Sequence, residues 1–150
     1  MTLLHPIRRL SLLLSIVAPL LLLTGCGSTG ALYREHRDLS PDKAQIVIFR
    51  PDDFFQGGVP YSVRINGKEA AVLRNGGFSV LGVTPGAVAL EIRAANVLQA
   101  LFRNPSLGLT AAAKERVFVR ATPELGYTVS LRVVPESVAV LELQSLKESQ

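Results

Sequence analysis

The chain of 150 residues has no tryptophan, one cysteine and two histidines, and only 19% of its residues are charged. Each shortage excludes something. One cysteine cannot close a disulfide within the chain or build a Cys-rich zinc site. Two histidines leave little material for acid–base chemistry. The length fits one domain rather than two and is too short for a multidomain enzyme. The apolar share, 48%, is too high for a disordered tail.

The N-terminus reads as an address. Arg8 and Arg9 give a short positive region. From Leu10 to Leu23 the chain is apolar but for Ser11, Ser15 and Pro19, a run shorter than the roughly 18–20 residues that span a bilayer. It ends in Leu23-Thr24-Gly25-Cys26. Thr24 and Gly25 are small enough to enter a peptidase site extended, and the only cysteine comes directly after them. This tetrad resembles the lipobox of bacterial lipoproteins. The resemblance implies cleavage before Cys26, lipidation of Cys26, and a mature protein held to the membrane by its N-terminal acyl chains. Gly27 stands where an Asp accompanies inner-membrane retention in enterobacterial lipoproteins, so the expected location is the outer membrane, facing the periplasm. Two of the 16 cationic residues and none of the 12 acidic ones lie in residues 1–25, which leaves a net charge of +2. That balance gives no reason to expect a nucleic-acid partner.

The expected organisation is a signal peptide over residues 1–25, a lipidated tether over 26–43 and a β-sandwich domain over 44–150. Gly27-Ser28-Thr29-Gly30 is small and flexible, and Ser40-Pro41-Asp42 is a turn signal. From Ala44 short β-runs alternate with turns. Gln45 to Arg50 is rich in β-branched residues and is stopped by Pro51. Asn66-Gly67 is a strong hairpin signal, because a type I′ turn needs positive φ at both positions. With those two residues as the turn, Ile65 pairs with Lys68, Arg64 with Glu69, Val63 with Ala70 and Tyr61 with Val72. Strands are expected over Phe78 to Val83, about Val88 to Arg93, Val117 to Arg120, Tyr127 to Val133 and Val138 to Leu143. Thr84-Pro85-Gly86 and Glu124-Leu125-Gly126 supply turns. Ala94 to Phe102 has helical spacing, and Leu107 to Ala113 reads as a small, apolar extended loop; of the whole connection Ala94 to Ala113, part is expected to cap an open end or edge of the sandwich and the rest to form an exposed apolar lip. The fold class is therefore all-β: a small antiparallel sandwich or partly open barrel of seven to eight strands, with one short helix or long loop insertion.

Several of these signals occur in a fixed order: Ile46-Val47-Ile48-Phe49-Arg50-Pro51, then Asn66-Gly67-Lys68, then Leu73-Arg74-Asn75-Gly76-Gly77-Phe78, then Pro85-Gly86, then Gly126-Tyr127. The set resembles an uncharacterised bacterial lipoprotein domain family, similar to the PEGA-type β-sandwich modules of bacterial envelopes. The resemblance spans about Ala44 to Val134, departs from the pattern at Ala94 to Ala113, and brings no catalytic residues with it.

Beyond residue 25 the one histidine is His36, in the expected tether, where a general base would lack fixed geometry. No serine nucleophile has a base in view, and the glycine pairs open no helix, so neither is a phosphate loop. Asp52-Asp53 is the only adjacent carboxylate pair, without the spaced oxygen ligands that calcium needs. No metal site and no cofactor is expected. The candidate binding residues are the loop aromatics Phe54, Phe55 and Phe102, and the arginines Arg64, Arg120 and Arg132. With Arg93, these arginines fall on polar strand phases, and a guanidinium grips phosphate or carboxylate bidentately. The expected function is a non-enzymatic, structural or adaptor role in the cell envelope. The partner would be an envelope protein, and the alternative is a binding module for an envelope glycan or lipid.

Overall fold

The computed structural model describes residues 27–35, 40–94 and 103–149. The signal segment, Cys26, His36, Phe102 and most of the expected 94–102 helix lie outside these residues. Among the described residues nine strands and one helix succeed one another in the order β1 (Ala44–Arg50), β2 (Tyr61–Ile65), β3 (Lys68–Leu73), β4 (Gly77–Val83), β5 (Gly86–Ala94), β6 (Ser106–Ala111), β7 (Arg116–Glu124), β8 (Thr128–Val134), α1 (Glu136–Leu143) and β9 (Lys147–Glu148). They form a five-stranded sheet, β8-β7-β1-β4-β9, and a four-stranded sheet, β3-β2-β5-β6. The fold is an all-β sandwich.

Strand β1 sits at the centre of the larger sheet, which explains its unbroken apolar run: a strand covered on both faces has no polar phase. Ile46 and Ile48 point between the sheets, into a core shared with Tyr61, Val63, Leu90, Ile92, Val117 and Val119. Val47 and Phe49 point the other way, into a second core with Phe78, Phe118, Ala139, Leu143 and Leu146. The pairing of β1 with β7 is parallel, with Phe49 opposite Arg120, so the larger sheet is mixed rather than purely antiparallel.

That second core corrects the strand expected at Val138 to Leu143, which is helix α1 instead. Val138 and Val140 favour a strand, but by only about 0.5 kcal/mol each. Covering Phe49, Phe78 and Phe118 is worth about 1.5–3 kcal/mol per side chain. Ala139 and Leu143, four apart and both fully buried, provide that cover from one helical face. The helix starts behind Pro135, whose carbonyl accepts from Val138 N and Ala139 N at 3.0 Å each.

Two further corrections concern the smaller sheet. Arg64 pairs with Glu69 and Ile65 with Lys68 as expected, but a bulge at Val63/Arg64 shifts the pairing beyond it, so that Val63 faces Ala71 and Tyr61 faces Leu73. Leu73 is therefore the buried residue, not Val72. The connection expected at Leu107 to Ala113 contains β6, paired with β5 along the sheet edge. Leu107 and Leu109 pack half-buried against the core, which leaves no exposed lip over this strand.

Residues 27–33 do not hang free as a tether. Ser28 N donates to Asn75 O at 3.1 Å, Gly30 N to Glu148 O at 3.0 Å and Glu148 N to Ala31 O at 2.8 Å. A Cβ on Gly30 would stand 2.4 Å from Glu148 O, so the approach of the two backbones requires glycine there. Tyr33 meets Phe78 edge to face at 5.3 Å.

Candidate functional site

The strand register gathers a set of connections at one end of the sandwich. Arg50 at the end of β1 faces Gly77 at the start of β4. The parallel pairing brings the end of β7 to the same side. Tyr61 at the start of β2 faces both Leu73 at the end of β3 and Ala94 at the end of β5. This end therefore holds loop 51–60, the turn at Asn75-Gly76, the β7–β8 turn and Gly27, which is bridged to Asn75.

Arg50 organises the loop. It is fully buried, the largest such side chain among the described residues. Its Nη1 donates to Val59 O at 2.7 Å and its Nη2 to Gln56 O at 2.6 Å. The guanidinium carbon lies 4.1 Å from the centroid of the Tyr61 ring, a stacked cation–π contact. Burial pulls the Arg50 pKa below its ordinary value, opposed by Tyr61, Asp53 and Asp52. Burial also pushes the Tyr61 hydroxyl up to about 12, against the pull of Arg50.

Gln56 is the second hub. Its backbone takes the left-handed conformation at φ 57, unusual for a residue with a side chain. Its Nε2 donates to Glu124 O at 2.9 Å and Thr128 O at 3.2 Å, and its Oε1 accepts from Tyr61 Oη at 3.0 Å. One side chain thus ties loop 51–60 to the β7–β8 turn. No motif in the sequence marks Gln56. Arg50 does carry a mark: a cation closing an apolar strand directly before proline.

With its base fixed, the loop presents its tip outward. Phe54 is 102% exposed and Phe55 40%, and across the Gln56 tie stand Leu125 at 84% and Tyr127 at 44%. Beside Phe54 a shallow depression is lined by Gly27, Asp52, Asp53, Gly57, Gly58 and Asn75. Asn75 holds its rim: its Nδ2 donates to Asp52 Oδ1, and its Oδ1 accepts from Asp53 N at 3.1 Å. Asp53 Oδ1 accepts from Phe55 N at 2.7 Å. The carboxylates serve as loop fasteners, and no group of three His, Cys, Asp or Glu among the described residues is placed to hold a metal ion.

No family model, curated protein or solved structure matches this chain. Its chemistry rests on its own geometry.

That geometry divides the candidate arginines. Arg64 and Arg93 lie on the outer face of the four-stranded sheet, with Glu91 between them at 3.8 and 2.8 Å. Arg64 also donates through Nη2 to Gly67 O. Arg120 and Arg132 face each other across β7 and β8, on the outer face of the other sheet. There Arg120 meets Glu142 of α1 at 3.2 Å. The two pairs point in opposite directions, so these four arginines do not form one anion-binding face. The structure brings Phe54 and Phe55 together and adds Leu125 and Tyr127, which sequence reasoning did not include. Tyr127 belongs to the turn, with φ 54, instead of opening the strand as expected.

Proposed function

We propose that the chain is a lipid-anchored protein of the bacterial cell envelope, acylated at Cys26, with a non-enzymatic structural or adaptor role. The anchor belongs in the outer membrane, with the sandwich facing the periplasm. The observation that carries this reading is the run Leu10–Leu23 closing in Leu23-Thr24-Gly25-Cys26. The ordered turn motifs from Ile46 to Tyr127, similar to those of the lipoprotein domain family, support it. Three acyl chains at about 0.8 kcal/mol per buried methylene make a permanent anchor where one chain holds only reversibly.

The test is mass spectrometry of the membrane-fraction protein and of Cys26→Ser. The wild-type N-terminal peptide should begin at Cys26 and carry acyl mass. Acyl mass that persists in Cys26→Ser would remove the reading. Crosslinking in the intact envelope then addresses the role, and a recovered protein partner supports the adaptor.

The second reading, a binding module for an envelope glycan or lipid, draws on the depression beside Phe54. There an exposed ring stands next to the Asp52 and Asp53 carboxylates and the Asn75 amide, a mixture suited to a polar ligand with an apolar face. Binding of soluble muropeptides that is lost in Phe54→Ser would favour it.

A further inference from the structure

We propose that the loop end of the sandwich rests on the bilayer that carries the anchor, with Phe54, Phe55, Leu125 and Tyr127 seated at headgroup level. This rests on acylation at Cys26 and goes beyond it, because an anchor alone does not orient a domain.

The geometry fixes where the anchor leaves the fold. Gly27, the residue next to the acylated position, is bridged to Asn75, and Ser28 Oγ lies 2.9 Å from Ser149 Oγ. Consecutive Cα atoms are about 3.8 Å apart, so the chain between the anchor and its first held residue at this end is one step long. A flexible tether over residues 26–43 would let the domain wander on the order of 20 Å from its anchor. The seated segment removes that freedom and brings the membrane plane to this end.

The side chains at this end suit an interface. Four apolar or aromatic side chains are exposed there, and Tyr127 has the ring-plus-hydroxyl character that favours the boundary between acyl chains and water. At the opposite end the turns at 66–67, 84–85 and 112–115 expose no large apolar side chain, and Val133 and Val138, beside the β8–α1 connection there, are about half-exposed valines without a ring. Asp52 and Asp53 set the depth. Carboxylates entering hydrocarbon carry a large desolvation penalty, so they stop at the headgroups while Phe54 and Leu125 reach past them. Both carboxylates are already fastened within the loop.

The chain has no tryptophan, so one introduced tryptophan reports one site. Full-length Phe54→Trp, Leu125→Trp and Lys68→Trp, the last in the hairpin at the far end, are made in a bacterium that acylates lipoproteins. They are reconstituted into phosphatidylethanolamine–phosphatidylglycerol vesicles with brominated acyl chains. Phe54 and Leu125 are exposed, so their replacement leaves the core intact. At an insertion depth of about 5–10 Å, tryptophan at 54 and 125 should lose roughly half its emission to bromine, while tryptophan at 68 keeps its own. Equal emission at all three sites, with acyl mass confirmed at Cys26, overturns the seating and leaves the anchor standing. A blue shift at 54 without bromine quenching means that a protein or a second copy covers the tip, and also overturns it. Missing acyl mass at Cys26 removes the anchor, and the seating falls with it.

Discussion

The two ends of this sandwich are built from the same strands and solve different problems. At the far end the connections are short and polar. Asn66 and Gly67 both have positive φ, and Asn66 closes onto β5 by accepting from Ala89 N at 2.8 Å while its own N donates to Ala89 O at 2.8 Å. Lys114 N donates to Lys43 O at 2.7 Å and joins the β6–β7 turn to the residue before β1. At the loop end ten residues separate β1 from β2, and local turn chemistry cannot hold such a span. A buried cation holds it instead, through two backbone carbonyls and an aromatic face. The difference teaches that a rigid loop base can carry a tip whose side chains contribute nothing to the fold. Phe54 is exposed while Arg50, four residues earlier, is fully buried.

The sharpest way to break the contrast is Arg50→Ala. It strands the carbonyls of Gln56 and Val59 and empties the site over Tyr61. Hydrogen bonds from a charged donor contribute about 1.5–3 kcal/mol each, so urea unfolding should show a loss of about 3 kcal/mol or more. A loss below about 1 kcal/mol would mean that the loop holds itself.

The next effect is one of pH. The Tyr61 hydroxyl ionises near 10 when unfolded and at about 12 in the fold. The native state therefore keeps a proton that the unfolded state releases. The stability tied to that proton is complete below pH 10 and is lost as pH rises through about 12. Against Tyr61→Phe, the wild type should lose on the order of 2 kcal/mol more across this window, read by thermal unfolding. Parallel curves would show that burial does not hold the proton on the Tyr61 hydroxyl.

The smallest effect belongs to the far end. Gly67 has φ +78 with open space around it, so Gly67→Val meets conformational strain alone. The cost should be about 1–2 kcal/mol in the melting midpoint, with the loop end untouched in hydrogen exchange. An unchanged midpoint would remove the strain argument for this turn.

Legibility in the sequence divides along the same line. Local chemistry is legible: the Asn66-Gly67 turn, the Arg64–Glu69 register and the strand over Tyr61–Ile65. The register departs from expectation at the bulge because Ala70 and Ala71 are both small and apolar, so either can face the core. Val138 and Val140 hide helix α1. Its signals are the start at Pro135-Glu136 and the pair Ala139 and Leu143. Strand β6 shows in the alternation of Leu107, Leu109 and Ala111 with Ser106, Gly108 and Thr110, obscured by small residues. Of the candidate site, Phe54 and Phe55 stand out as loop aromatics. Leu125 and Tyr127 do not join them in the sequence, because their nearness depends on the parallel β1–β7 pairing, a non-local fact that no short motif encodes.

The contact between Ser28 and Ser149 joins residues 121 positions apart in the chain. Closing so long a loop adds little free energy beyond closing a shorter one, since the cost grows only with the logarithm of length. Its consequence is one of timing. During synthesis the segment after residue 26 can meet Asn75 and Phe78 early, but its contacts with Glu148 and Ser149 wait until β9 has been made. Once Ser149 arrives the same segment is clipped into place. The same segment is thus loosely held first and becomes part of a finished wall last.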